Sequence, residues 1–275
     1  MMGWNIGMYN SAITEASKSA LVEVLRSLRS YSEFFVLAGG WAPYYILERF
    51  AKTPGFTHCG SVDIDLVMDV ALREAQTYAT IVQLLSRRGF QQHIEDAYRF
   101  DKTIVSPVDG QSYDIPLDFI TEPTETRLQE GLVAAGIKGY SIALRHSFKH
   151  LILGVLPGNG EATVEARVAD VVGCLTTKGL AMKSRYKEKD PYDVYTVVSY
   201  FKNGPRDTAE EFRDHLEDPT VKEALQTIRK QFSNALSEGP YSVARFMYPA
   251  DAAMQDRIRT DAFMRLEEFF SRLTQ

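Results

Sequence analysis

The amino-acid sequence predicts an α+β fold, in which a mixed β-sheet flanked by helices is followed by a helical C-terminal region. Short apolar runs of strand length, separated by glycine-containing turns, occupy much of the first part of the chain. After about residue 168 the apolar residues recur at helical spacing, and strand-like runs disappear. We therefore predict a sheet-containing domain at 1–168 and a helical domain at 169–275.

The overall composition is that of an ordinary globular protein. Its 275 residues are 45% hydrophobic and 24% charged, and the formal net charge is −5, so we expect no global attraction to nucleic acid or anionic lipid. Cys59 and Cys174 lie far apart and form no CxxC pair, which indicates neither a disulfide framework nor a zinc knuckle. We see no basic leader followed by an apolar run and no apolar stretch of about 20 residues. We therefore expect a cytoplasmic protein without a membrane segment.

The first segments indicate a helix, a strand, a turn and a second helix. Residues 11–31 show helical apolar spacing, and 34–38 form a short apolar run typical of a buried strand. Gly39 and Gly40 end that run, and a helix is expected from Trp41. A strand that ends in two glycines before a helix can bring backbone amides close to a phosphate. The alternative is an ordinary turn.

Two aspartates on a strand predicted at 61–68 are the main candidates for chemistry. Because side chains alternate along a strand, Asp63 and Asp65 are expected on one face and the apolar residues on the other. Carboxylates about 7 Å apart on one face repel each other. Mg²⁺ is the hard cation that such oxygen ligands bind together with substrate phosphates. The alternative is an edge strand with a solvated acidic face.

A predicted hairpin supplies a third carboxylate. Two strands, at 97–105 and 112–120, flank a turn that contains an Asp-Gly pair. In the second strand Asp114 and Asp118 share the polar face. We favour Asp118 as the third member of the acidic site because its apolar neighbours indicate a buried strand, and Asp114 is the competing assignment.

The other segments add few candidates for chemistry. His146 and His150 have i, i+4 spacing, but no third ligand accompanies them, so we interpret them as surface residues. We predict strands at 142–144, 151–155 and 163–168, and helices at 71–88, 208–217, 219–237 and 249–273, with a break at Gly239-Pro240.

The densest run of positive charge lies at 183–193 and follows a predicted helix. Lys178 and Arg185 are two helical turns apart and therefore share a face. Asp190 is expected to cap a further helix, with Pro191 at its first position. A charge run of this kind is usually a solvated surface, and the alternative is a cluster that faces phosphate.

Together these motifs resemble the nucleotidyltransferase superfamily with the DNA polymerase β-type fold. The resemblance in the first half consists of the double glycine followed by Ser61-x-Asp63-x-Asp65 and, later, Asp118. The second half is similar to AbiEii/AbiGii-type toxins and their MenT relatives through Lys178-Gly179-Leu180-Ala181-x-x-x-Arg185 and Lys189-Asp190-x-x-Asp193. Many superfamily members have a hydroxyl residue directly after the double glycine, whereas this chain has Trp41. Phosphate binding would therefore depend more on backbone amides and on the lysine and arginine.

The resemblance implies a nucleotidyltransferase-type sheet and transfer of a nucleoside monophosphate from a nucleoside triphosphate to an acceptor hydroxyl. It implies Mg²⁺ as the cofactor, held by Asp63, Asp65 and Asp118, with Asp118 also acting as the base. The implied catalytic residues are Asp63, Asp65, Asp118 and Lys178, and the implied nucleotide-binding residues are Gly39, Gly40, Ser61, Lys178, Arg185, Lys189, Asp190 and Asp193.

Three functions are compatible with these features. The first is the toxin of a type IV-like toxin–antitoxin or phage-defence pair, which would act on tRNA or another RNA and have an antitoxin partner. The second is a nucleotidyltransferase that modifies aminoglycoside or lincosamide antibiotics. The third is a nucleotide-binding protein that has kept the fold and lost the activity.

Overall fold

The structure is a computed structural model that describes residues 5–72, 75–123, 133–158 and 160–273. The chain divides into two compact units, neither of which is continuous in sequence. The sheet unit consists of residues 10–42 and 60–170, and the helical unit consists of the residues up to Tyr9, residues 43–59 and the residues from Val171 onward. The last change of unit, at 170/171, lies close to the boundary that the composition indicates, whereas two earlier segments also belong to the helical unit.

The sheet unit is built around one mixed sheet, which has eight strands within the described residues. The strands are β1 Phe35–Leu37, β2 Ile64–Met68, β3 Gln91–Gln92, β4 Arg99–Val105, β5 Ser112–Thr121, β6 Ala135–Gly136, β7 Ser147–Val155 and β8 Glu161–Ala169. Their order is β3-β4-β5-β2-β1-β8-β7, with β6 paired to β5. β2 runs parallel to β5 and antiparallel to β1. The predicted α+β class, with a mixed sheet flanked by helices and a helical C-terminal region, is confirmed.

Alternation of apolar and polar residues determines which side chains of β5 face the core. Ile115, Leu117 and Phe119 are fully buried, whereas Asp114 is exposed and Asp118 is half-buried. A shift of one residue would place the carboxylates in the core, so the apolar pattern determines which face each aspartate occupies.

The helices of the sheet unit begin with one that packs on the sheet. These helices are α1 Ser11–Ser27, the first two residues of α2 Trp41–Phe50, α3 Ala75–Ser86 and α4 Tyr140–Arg145. α1 contacts β4, β5, β7 and β8. Its N-cap is Asn10, whose side-chain oxygen accepts hydrogen bonds from the backbone N–H groups of Ala12 and Ile13.

The helical unit contains the rest of α2 and the helices that follow the sheet. The latter are α5 Val171–Ser184, α6 Lys189–Tyr200, α7 Pro205–Phe212, α8 Pro219–Gln231, α9 Glu238–Met247 and α10 Ala252–Leu273. α5 packs closely on α8, because a Cβ atom on Gly179 would lie 2.7 Å from the backbone oxygen of Ala224. α6 packs against α5 and α9, and α10 packs against α7 and α9.

Several local predictions are wrong. Residues 142–144 belong to α4 rather than to a strand, because three apolar residues cannot distinguish the two periodicities. His146 is the C-cap of α4 and His150 lies on β7, and both residues are half-buried, whereas the sequence predicts surface positions.

Two helix boundaries in the C-terminal region also differ from the prediction. Asp190 is not a cap: α6 begins at Lys189, after Glu188, and Asp190 lies in its first turn. Gly239-Pro240 does not break a helix but lies in the first turn of α9, where proline removes no intrahelical hydrogen bond.

The helices in the described part of the chain offer no membrane-spanning candidate, since none combines the length and the apolar content that a bilayer crossing requires.

Candidate functional site

The glycine turn of the sheet unit lies directly against the Asp65 carboxylate. Gly39 follows β1 and has a φ of +56°, which is in the left-handed region. A Cβ atom at Gly39 would lie 1.7 Å from Oδ2 and 2.6 Å from Cγ of Asp65. Only glycine satisfies both the backbone conformation and the contact. The backbone at the double glycine therefore approaches a carboxylate, at the turn that precedes α2, and the predicted approach to a phosphate stays a prediction.

Backbone hydrogen bonds hold this turn in place. The N–H of Ala38 donates to the backbone oxygen of Asp65 at 2.9 Å, and the N–H of Ala42 donates to the backbone oxygen of Ala38 at 3.3 Å. Gly40 is buried and directly precedes α2. Residues 38–42 are thereby attached to the strand that carries Asp65.

Asp63 is positioned by a side chain and not by the pleat of a strand. β2 begins at Ile64, so Asp63 lies one residue before it, and the alternation argument does not place this carboxylate. The buried Ser61 hydroxyl donates a hydrogen bond of 2.6 Å to Oδ1 of Asp63. Ser61 is thus next to the acidic residues, with a direct contact to one of them.

Asp118 lies beside Asp65 in the sheet register. The two residues are Cα partners in the parallel β2–β5 pair, and residues in register on neighbouring strands project from the same face. Asp114 lies four residues earlier on β5, about 13 Å away along the strand. The exposed Asp114 accepts a hydrogen bond from the Thr103 hydroxyl at 2.6 Å. Of the two competing carboxylates, Asp118 is therefore the one beside Asp65.

An arginine that the sequence analysis did not single out holds Asp118. The Nε and Nη2 atoms of Arg99 donate to Oδ1 and Oδ2 of Asp118, each at 2.7 Å. This bidentate pair joins β4 to β5, whose register also pairs the two residues. Hydrogen bonding to Asp118 raises the pKa of Arg99 above its ordinary value, so the guanidinium is charged at any pH at which the protein is folded.

The donor set fits one hard cation better than a pair of cations. Within the described residues, no group of three His, Cys, Asp or Glu side chains could hold a metal ion, and both oxygens of Asp118 are engaged by Arg99. A three-carboxylate site for two ions therefore does not fit this arrangement. Mg²⁺ is often bound by one or two carboxylates together with substrate phosphates, and Asp63 and Asp65 are carboxylates of that kind, directly before and on β2.

The predicted residues of the second half form a buried ionic network in the helical unit. Nζ of Lys178 lies 2.9 Å from Oδ1 of Asp190 and 2.6 Å from Oδ2 of Asp193. All three side chains are almost completely buried. The network therefore joins α5, which carries the lysine, to α6, which carries both aspartates.

Three further side chains complete this ionic network. Nζ of Lys189 lies 2.8 Å from Oδ1 of Asp193, and Nε2 of His58 lies 2.9 Å from the same oxygen. Nε of Arg185 lies 3.1 Å from Oδ2 of Asp190, and the Arg185 side chain is 52% exposed. Arg185 is therefore the member of the network that presents positive charge to solvent, whereas Lys178 and Lys189 are enclosed.

The electrostatics of the network keep its acids ionised. Burial by itself raises the pKa of Asp193, but Lys178 and Lys189 outweigh it and lower that pKa well below its ordinary value. Burial alone would lower the pKa of Lys178, yet Asp190 and Asp193 raise it well above its ordinary value. Burial lowers the pKa of His58 to about 4, against the opposing effect of the hydrogen bond to Asp193. At neutral pH His58 is therefore neutral.

The structure thus brings the sequence-predicted residues together as two groups. Gly39, Gly40, Ser61, Asp63, Asp65 and Asp118 lie in the sheet unit, and Lys178, Arg185, Lys189, Asp190 and Asp193 lie in the helical unit. Sequence reasoning missed Arg99 and His58. Arg99 is one of several polar residues on β4, so only the cross-strand register identifies it. His58 is a single histidine in a loop that no local pattern distinguishes.

Comparisons with known proteins give little beyond this geometry. No family model matches the chain, and no curated protein matches it in sequence. An antigenic nucleotidyltransferase-like protein from Paracoccidioides brasiliensis is similar in structure, with a TM-score of 0.44 and 14% sequence identity. The alignment covers 78% of this chain and 88% of that chain. Membership of the AbiEii/AbiGii or MenT families stays a prediction.

Proposed function

We propose that this chain is a nucleotidyltransferase, which transfers a nucleoside monophosphate from a nucleoside triphosphate to an acceptor hydroxyl. The observation that carries the proposal is the contact between the Gly39 turn and the Asp65 carboxylate. It places a side chain of the type that binds Mg²⁺ beside backbone amides at a helix start, which are groups that bind phosphate. Asp63, oriented by Ser61, supplies a second carboxylate.

The work of these residues would be to bind and orient the triphosphate. Asp63 and Asp65 would hold Mg²⁺, which when bound neutralises phosphate charge and makes the phosphorus a better electrophile. The turn at Gly39 and Gly40 would approach the phosphates through backbone N–H groups, since glycine carries no side chain of its own. Positioning and charge compensation of this kind account for most of the catalysis in phosphoryl transfer.

For the acceptor we propose RNA, and tRNA in particular, with the chain acting as the toxin of a toxin–antitoxin pair. This assignment is supported only by the sequence from Lys178 to Asp193 and by the exposed Arg185, which could contact an RNA backbone. Lys178 and Lys189 are paired and buried, which favours a structural role for them. Modification of an aminoglycoside or lincosamide is the second candidate, because an acidic chain with a net charge of −5 attracts cationic acceptors.

Transfer of label from each nucleoside triphosphate to total RNA, compared with a panel of antibiotics, tests the proposal. We expect RNA labelling that needs Mg²⁺ and falls about 100- to 1000-fold in Asp65→Asn, because the variant keeps the shape but loses a ligand charge. Asp114→Asn, at the exposed end of β5, should retain wild-type labelling. Label on antibiotics alone would replace RNA as the acceptor, and labelling that survives Asp65→Asn would contradict the site.

A further inference from the structure

Three residues on adjacent strands form a row across the sheet, which we call the strand row: Arg99 on β4, Asp118 on β5 and Asp65 on β2. The registers pair Arg99 with Asp118 and Asp118 with Asp65. Since strands in a sheet are about 4.8 Å apart, the Cα atoms of Arg99 and Asp65 are about 10 Å apart. The three side chains project from the same face of the sheet. Arg99 therefore stands at one end of the row and the carboxylate against the glycine turn stands at the other.

The ion pair engages both carboxylate oxygens of Asp118 but only part of the Arg99 guanidinium. Asp118 uses both carboxylate oxygens on Arg99 and is 14% exposed, whereas the Arg99 side chain is 35% exposed. A guanidinium has five N–H donors, and the pair uses two of them. Within the described residues, the Arg99 side chain makes no further hydrogen bond. Each carboxylate oxygen of Asp118 is thus already bonded to the guanidinium, and the arginine still has donors for a ligand.

We propose that Arg99 is a phosphate-binding residue of this site and that Asp118 is its positioning partner rather than a third metal ligand. The proposal rests on the proposed function and assigns its triphosphate-binding side chain. A planar guanidinium already fixed by a carboxylate loses little conformational freedom when it binds a phosphate oxygen. It also supplies positive charge beside Asp65 and Asp118, whose carboxylates would otherwise repel a triphosphate. A cation at Asp118 would first have to displace a bidentate, charge-assisted pair.

Binding measurements test this assignment without relying on turnover. Mn²⁺ affinity is measured by titration followed by electron paramagnetic resonance, and the affinity for α,β-methylene triphosphates is measured by calorimetry with and without Mn²⁺. We expect Asp65→Asn to lose Mn²⁺ binding, whereas Asp118→Asn keeps the wild-type Mn²⁺ affinity within about twofold. Arg99→Ala should weaken analogue binding by about tenfold to a hundredfold. Arg99→Lys keeps the positive charge but not the planar, two-pronged guanidinium, so its affinity for the analogue should lie between those of the wild type and Arg99→Ala.

A double variant separates binding from folding. Arg99→Ala leaves Asp118 without its partner, so a loss of stability is expected, and Arg99→Ala with Asp118→Ala removes both charges together. Because Asp118 acts through Arg99, the double variant should bind the analogue as weakly as Arg99→Ala, within about twofold. Lys149→Ala breaks another cross-strand ion pair, with Glu165 on β8, and should leave both affinities unchanged.

The outcomes distinguish this assignment from the proposed function. If Asp118→Asn weakens Mn²⁺ binding as much as Asp65→Asn does, Asp118 is a metal ligand and the assignment is overturned. Analogue affinity in Arg99→Ala that stays within about twofold of wild type also overturns it. A wild-type protein that binds the analogue through Arg99 but labels no acceptor refutes the transfer reaction alone. A wild-type protein that binds no triphosphate refutes both.

Discussion

Replacement of Gly39 by alanine should disable the candidate site by moving a carboxylate. The added Cβ atom would lie 1.7 Å from Oδ2 of Asp65, and an ordinary contact begins at 3.4 Å, so the oxygen must move by about 1.7 Å. Misplacement by about 1 Å of a group that positions substrate can cost about 100-fold in rate. We therefore expect kcat/KM for nucleotidyl transfer to fall at least about 100-fold, and Mn²⁺ affinity to fall with it.

The same substitution also has a backbone cost that can be measured separately. Alanine at a φ of +56° is disfavoured by about 1–2 kcal/mol relative to glycine. Gly110→Ala is the matched control, because Gly110 has a φ of +71° and no atom within 4 Å of the added Cβ. The control should lose about 1–2 kcal/mol of unfolding free energy and keep Mn²⁺ binding and transfer. Guanidinium denaturation of both variants gives their unfolding free energies, and the extra loss in Gly39→Ala measures the clash with Asp65.

The result that would refute this reasoning is specific. If Gly39→Ala and Gly110→Ala lose the same stability and both keep wild-type Mn²⁺ affinity and transfer, Asp65 does not need its observed position. A second check is Gly39→Ala combined with Asp65→Ala, which removes the two closest clashing atoms, the carboxylate Oδ2 and Cγ. Its stability loss relative to Asp65→Ala alone should approach that of the Gly110 control.

Two further predictions concern the helical unit. Gly179→Ala should lower the unfolding free energy by about 1–3 kcal/mol, because the added Cβ would lie 2.7 Å from the backbone oxygen of Ala224. Alanine normally stabilises a helix relative to glycine, so a raised denaturation midpoint would contradict the tight packing of α5 on α8. Burial lowers the pKa of His58 from 6.5 to about 4, so between these pH values the unfolded state binds a proton that the folded state does not. The unfolding free energy should therefore fall by about 3 kcal/mol as the pH is lowered from 6.5 to 4. His58→Gln should remove this slope in denaturation curves measured between pH 6.5 and 4, and an equally steep curve would show that another group is responsible.

Apolar periodicity was sufficient to predict most elements of the sheet unit. The alternation in β5 and the Asp-Gly turn before it predict a strand whose aspartates avoid the core, and Asp114 and Asp118 do so. The double glycine after β1 predicts a turn before a helix, which the structure has, and its contact there is with Asp65; the approach to a phosphate stays a prediction. These signals are local, since each depends only on residues that are close together in sequence.

The features that sequence reasoning could not predict depend on long-range register. Arg99 meets Asp118 because β4 and β5 pair in one register, and a shift of one residue would place the arginine on the other face. Lys178 is buried against Asp190 because α5 packs on α6. Lys189, in the run of positive charge at 183–193, is buried against Asp193, although such a run is usually a solvated surface. Charge runs do not reveal which members will be paired and enclosed.

The discontinuous division of the chain determines the order in which its parts can be completed during synthesis. Once Asp170 has left the ribosome, every residue of the sheet unit is available, whereas residues 43–59 still await the helices that begin at Val171. A fragment truncated near 170 would therefore carry a segment deprived of its packing partners, and no contiguous fragment contains the helical unit alone. Attempts to express the sheet unit by itself should instead excise residues 43–59 and join residue 42 to residue 60 through a short linker.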